Sequence, residues 1–174
     1  MIIGMSTATF TLLHVIISLI GIFTGLVVAA ALWNGRRLDS WTGIFLLTTV
    51  LTSVTGFMFP GPVDPARVVG VISLVVLAIA TLAFYVYHVA GAWRWIYVTT
   101  ALISLYLNCF VAVVQSFLKI PALHALAPKG NEPPFVAAQV TLMLAFIVIG
   151  IVCVRRFHPP SQVQRHSDML RRTV

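Results

Sequence analysis

Residues 68–118 read VVGVISLVVLAIATLAFYVYHVAGAWRWIYVTTALISLYLNCFVAVVQSFL, 51 positions with one charged side chain, Arg94. As a single helix this stretch would reach ~76 Å at 1.5 Å per residue, more than twice the ~30 Å hydrocarbon core of a bilayer. It therefore predicts two helices. Gly91 supplies a break and Trp93, Arg94 and Trp95 supply an interfacial cluster, which places a tight hairpin near 90–92.

The same pattern of long uncharged gaps extends outward in both directions. Of 174 residues, 60% are hydrophobic and 9% charged, against roughly 25% charged in a soluble domain. Runs without Asp, Glu, Lys or Arg cover 1–35, 40–63, 68–93, 95–118 and 133–154, and each exceeds the ~20 residues that cross a bilayer. The chain is accordingly expected to be an all-α polytopic membrane bundle of five transmembrane helices, at about 8–32, 41–59, 68–90, 93–118 and 134–154. These form one domain over 1–154, followed by an Arg-rich tail, 155–174, expected to be disordered. The first helix lacks the basic n-region of a secretory signal and is longer than such a segment's apolar core, so it is expected to be retained.

An odd number of spans puts the two termini on opposite sides. Arg36, Arg37, Arg94, Arg155, Arg156, Arg165, Arg171 and Arg172 fall on one side, and Arg67, Lys119 and Lys129 on the other. The positive-inside rule then makes the C-terminus cytoplasmic and the N-terminus external, and Trp33, Trp41, Trp93 and Trp95 all lie at the inner interface. The net charge of +7 is expected to serve topology and contact with anionic lipid headgroups at the cytoplasmic face. No nucleic-acid motif accompanies it.

Polar residues inside a span mark the faces turned away from lipid. In the fourth span Tyr97, Thr100, Ser104, Asn108, Gln115 and Lys119 recur at spacings of three, four and seven, which keeps them on one helix face. Such a stripe either bonds neighbouring helices or lines a water-filled cavity. In the first span Gly21 and Gly25 form a GxxxG motif for close helix packing, with a partner the sequence does not name. His14, Asn108, Gln115 and Gln139 share the outer half, with Thr52 and Thr55 at similar depth, and these six are the candidate polar pocket. The hydroxyls of the second span can also bond their own helix's carbonyls.

Depth tests more specific chemistry. His14 lies ~10 Å below the outer edge of its span and His88 within ~3 Å of the inner edge, so they cannot be paired haem ligands, and a haem b would have to use His14 with His124 of the outer loop. Cys109 and Cys153 differ by ~20 Å in depth and read as two buried thiols. There is no CxxC, HExxH, GxSxG or P-loop, and no carboxylate within a span, so no catalytic residue and no metal site is expected.

The strings TSVTGFMFPGPVDP (52–65), AGAWRWIYV (90–98), LYLN (105–108) and APKGNEPPF (127–135) resemble those of a family of small multi-spanning bacterial inner-membrane proteins. That resemblance implies a bacterial inner-membrane location and carries over no activity. In size the chain is also similar to small haem- or quinone-associated membrane subunits. Three functional expectations follow. The first is a non-enzymatic protein acting through helix packing, as a homo-oligomer or as an accessory subunit of a larger membrane complex. The second is a small-molecule binding or transport protein with an outward-facing polar pocket. The third is a haem- or quinone-linked redox subunit.

Overall fold

The computed structural model of the chain describes residues 2, 4–59 and 65–158. The turn around Asp64 and the tail beyond His158 lie outside the described residues. Among the described residues the architecture is all-helical: α1 (Thr7–Trp33), α2 (Asp39–Phe57), α3 (Pro65–Thr81, continued by a π-helical turn Leu82–Val86), α4 (Trp93–Lys119), α5 (Pro121–Leu126) and α6 (Pro133–Arg156). Five of these are long and apolar enough to cross a membrane, as expected from the charge gaps.

The helix ends follow local chemistry. Ser6 caps α1, its Oγ accepting the Thr9 amide at 3.1 Å. Asn34 ends that helix by donating from Nδ2 to the Ala30 carbonyl at 2.7 Å, and Gly35 turns the chain at φ +67°. A Cβ at Gly35 would stand 3.0 Å from the Arg156 carbonyl oxygen, so the α1–α2 turn packs directly on the end of α6. Asp39 in the first turn of α2 pairs with Arg37, which complements the helix dipole.

The α3–α4 hairpin differs from expectation. Helix α3 ends at Val86, four residues before the boundary at 90, and the reversal occupies Tyr87 to Ala92. The π turn closes through Tyr87 N–H to the Leu82 carbonyl at 3.0 Å, and the Val89 amide reaches back to Ala83 at 2.9 Å. His88 and Val89 both take left-handed φ, +50° and +62°. Val89 is thereby buried in the core while Tyr87 stacks flat on Trp93 with ring centroids 3.7 Å apart. Gly91, the expected break, turns the chain within the same reversal at φ +52°.

Helix α4 is the hub, packing against α1, α3 and α6, while α2 packs on α1 and α3. Helix α6 buttresses α4 and α1 from outside and buries only Cys153. The main cluster of buried hydrophobic residues lies at the end of the bundle that carries the tryptophans, while Phe10 and Phe117 are buried toward the other end. It comprises Val28, Ala29 and Leu32 of α1, Phe45 and Leu46 of α2, Leu77, Ala80 and Phe84 of α3 and its π turn, and Tyr97, Val98, Ala101, Leu102 and Leu105 of α4. Tyr97 Oη meets Thr42 Oγ1 at 3.1 Å within it. Arginines stitch the same end: Arg94 donates to the Phe157 carbonyl at 2.7 Å, Arg37 to the His88 carbonyl at 3.4 Å, and Arg156 lies over the Trp33 ring. A well-formed charge-assisted bond of the Arg94 kind contributes about 1.5–3 kcal/mol.

Gly21 and Gly25 find their partners within the chain. A Cβ at Gly25 would come within 2.5 Å of Leu105 and 2.8 Å of Phe45, and one at Gly21 within 3.2 Å of Asn108 and 3.3 Å of Thr48 and Thr49. The missing side chains let α1 settle onto α2 and α4 together, the arrangement that dispersion favours between apolar helices.

Candidate functional site

Beyond Gly21 the bundle changes character. Toward the end where α1 and α3 begin and α2 and α4 finish, many inward positions are small or polar: Ser18 on α1, Ser53 and Gly56 on α2, Gly70 and Ser73 on α3, Ala112 and Ser116 on α4. Side chains of that size cannot fill the space between four helices. What remains is a cavity of about 630 Å³ lined by α1, α2, α3 and α4, within the usual range of small-molecule sites.

Its floor is Asn108 with Thr49 and Ile22, and its rim carries Lys119, Arg67, Phe59 and Ile120. Asn108 and Lys119 are eleven residues apart on α4, so the cavity descends ~16 Å along that helix. Phe59 closes part of the rim, standing edge-on to Phe10 and to His14 at centroid distances of 5.2 and 5.3 Å. Val15 and Leu19 line the cavity and remain 40% and 58% exposed, so the cavity is open along α1.

Of the six sequence candidates, His14, Thr52, Asn108 and Gln115 line this cavity. Thr55 stands behind His14, its hydroxyl 2.7 Å from Nδ1. Because the Thr55 hydroxyl proton already goes to the Leu51 carbonyl at 2.7 Å, Nδ1–H of His14 is the donor, and a neutral ring keeps Nε2 as an acceptor.

Gln139 is the correction. It is not part of the cavity; its Nε2 donates to the Phe110 carbonyl at 3.3 Å between α6 and α4. Equal depth groups it with Asn108, but Phe110 lies two residues beyond Asn108, about 200° around α4, so α6 meets a different face. His124 is also elsewhere, exposed on α5, and does not join His14 at the cavity. Beyond the end of α4 only Ile120 reaches the rim; farther along, the Glu132 carboxylate takes the Lys129 and Asn131 amides at 2.9 and 3.1 Å.

The hydrogen-bond inventory of the lining is uneven. Ser18, Thr49, Thr52, Ser53 and Ser116 each donate their hydroxyl to the carbonyl four residues earlier, at 2.7, 2.7, 2.9, 3.1 and 2.8 Å. Their oxygens keep lone pairs, while their protons are engaged. Asn108, 9% exposed, has no partner for Nδ2, and a buried donor left in this state costs about 1–3 kcal/mol. That nitrogen lies against α1, 3.2 Å from where a Cβ of Gly21 would stand.

The six-residue pocket expected from the sequence left out Arg67, Ser18, Ser53, Ser73 and Ser116, all of which line the cavity. Arg67 counted only as a topological charge, whereas it stands at the rim and donates to the Phe59 carbonyl at 2.6 Å. The small residues at spacings of three, Ser53 with Gly56 and Gly70 with Ser73, were the available signal for a hollow. A second, almost wholly apolar groove of about 650 Å³ runs outside, between α4 and α6, with Tyr106, Phe146 and Arg155 on its walls.

No protein-family model, curated protein or solved structure matches this chain, so its functional reading rests on the geometry of the bundle.

Proposed function

We propose that the chain is a multi-pass protein of a bacterial inner membrane that binds a small polar molecule, for recognition or transport, in a cavity opening to the outside. The observation that carries this reading is the cavity itself: about 630 Å³ of space in which serine, threonine, asparagine, glutamine and histidine side chains share the wall with apolar ones, inside a bundle whose outer surface is apolar. A polar hollow is costly to keep in a membrane protein and is retained where a substrate or ion passes or rests.

Insertion is supported by the exposed belt of Leu12, Phe23, Leu47, Val75, Leu144 and Ile147 and by the length of the five helices. Orientation rests on the excess of arginine and the four tryptophans at the opposite end from the cavity. The glycine face of α1 and the polar stripe of α4, which suggested an association surface, are both used inside one chain. Binding therefore accounts for more of the geometry than self-association does.

The test is sidedness of labelling. Ser116→Cys, in a background with Cys109→Ser and Cys153→Ser, is expected to react in intact cells with a membrane-impermeant thiol reagent added outside. Reaction only in inverted vesicles would reverse the orientation. Reaction in neither would remove the open cavity.

A further inference from the structure

The lining of this cavity is chemically one-sided. Its ionisable side chains are His14, Arg67 and Lys119, and among the described residues no Asp or Glu lines it. The described carboxylates are occupied elsewhere: Asp39 pairs with Arg37 at the far end, and Glu132 holds amides of its own loop. Lys119 forms no hydrogen bond or ion pair with any described residue and stands exposed at the rim. Arg67 stands at the same rim, donating to the Phe59 carbonyl.

Donors are also arranged in a line. Asn108, Gln115 and Lys119 are separated by seven and four residues, which keeps them within roughly a 40° arc of α4. Two carboxamides and an ammonium thus form a ladder from floor to rim. Across from them the hydroxyl protons of Ser18, Thr49, Thr52 and Ser53 are held by carbonyls of their own helices. The polar hydrogens left for a guest are therefore chiefly those of α4, joined by the Ser73 hydroxyl of α3, and they call for an acceptor. Val15, Leu19, Leu107 and Val111 supply apolar wall beside the ladder and suit a guest with a hydrocarbon part.

We infer that the occupant is an amphiphilic oxyanion, a carboxylate or phosphate ester, whose charged group rests on Lys119 and whose body reaches toward Asn108. This rests on the cavity reading above and specifies its ligand. The oxyanion can come from the aqueous side through the rim, or it can be the headgroup of an acidic phospholipid entering by the side opening along α1.

The experiment uses the full chain in phosphatidylcholine nanodiscs at low salt, carrying Ser116→Cys in a background where Cys109 and Cys153 are serine. The probes are hexanoate, hexyl phosphate, hexylammonium and hexanol. The readouts are protection of the introduced thiol at position 116 from a thiol reagent and the rise in melting temperature. Hexanoate and hexyl phosphate are expected to protect and stabilise. Hexylammonium is expected to do neither.

Lys119→Gln should weaken the anions roughly tenfold while Lys119→Arg retains them. Nanodiscs containing phosphatidylglycerol separate the sources. Lipid retained in native mass spectra of wild type, lost from Lys119→Gln and displaced by hexyl phosphate, identifies the headgroup; anion binding without retained lipid identifies a soluble anion. Equal protection by hexanol or hexylammonium, or unchanged anion affinity in a folded Lys119→Gln, overturns the inference and leaves the cavity reading standing. So does failure of all four compounds against a reactive thiol. Failure of all four with the thiol itself unreactive removes both.

Discussion

Replacing Gly25 with alanine tests the packing on which the cavity depends. The new methyl would sit 2.5 Å from Leu105 Cδ1 and 2.8 and 2.9 Å from two carbons of the Phe45 ring. Leu105 and Phe45 are each 1% exposed, so neither can swing clear. Overpacking of this kind costs about 1–3 kcal/mol, and the better helix propensity of alanine returns up to ~1 kcal/mol. A net loss of about 1–2 kcal/mol is expected from these two terms. Gly21→Ala provides the internal control. There the contacts are 3.2 and 3.3 Å and involve the ends of Asn108, Thr48 and Thr49, so a small shift absorbs the methyl and the propensity gain nearly cancels the cost.

The assay is equilibrium unfolding by an ionic detergent from mild-detergent micelles, followed by circular dichroism, with native mass spectra of both variants. The order of stability should be wild type close to Gly21→Ala, with Gly25→Ala clearly below, and the oligomeric mass should not change. A Gly25→Ala protein as stable as wild type, or a loss confined to oligomer mass, would refute the intramolecular use of this glycine pair.

Other outcomes follow from the same geometry. His88 is exposed at φ +50°, and left-handed backbone costs a non-glycine residue about 1–2 kcal/mol, so His88→Gly should raise stability by about 1 kcal/mol in the same titration. Tyr97→Phe leaves the buried Thr42 hydroxyl without its 3.1 Å partner and should cost about 1 kcal/mol; a neutral result would mean the pair contributes nothing. Some desolvation tends to raise the Glu132 pKa, but bonds from the amides around it, including Lys129 and Asn131, outweigh this and hold the carboxyl below the usual glutamate range. The order it gives to its loop is therefore present above that range and lost as pH falls through the depressed value. Amide shifts of Lys129 and Asn131 in a pH titration should report this, and shifts that track an ordinary glutamate would contradict it.

The spans were legible because charge is costly in lipid and its gaps are easy to see; four of the five helix starts lie within two residues of where charge and aromatic anchors put them. The end of α3 was not legible. No glycine, proline or charge occurs at 86–90; the chain leaves the helix at His88 and Val89 in left-handed φ, ahead of the expected break at Gly91, which also turns at φ +52°.

The site divides in the same way. The α4 stripe was visible from its spacing, because a helix face is a one-dimensional pattern. Gln139 was misplaced because sequence gives depth along a span but not the angle at which two helices meet. Arg67 and Ser73 were missed because the position of α3 around the cavity is set by contacts with α2 and α4. A volume left unfilled by small residues on four separate helices is a property of their assembly.

A cysteine scan of α4 tests the hollow and packed halves most directly. With the chain in nanodiscs and Cys109 and Cys153 replaced by serine, single cysteines at Val98, Ala101, Leu102, Leu105, Val111, Ala112, Gln115 and Ser116 are each exposed to a water-soluble thiol reagent. The last four border the cavity and the first four belong to the packed end. Labelling at 111, 112, 115 and 116 that stops below Asn108 is the predicted result. Labelling along the whole helix, or at none of the eight positions, would contradict a closed core beneath an open polar cavity.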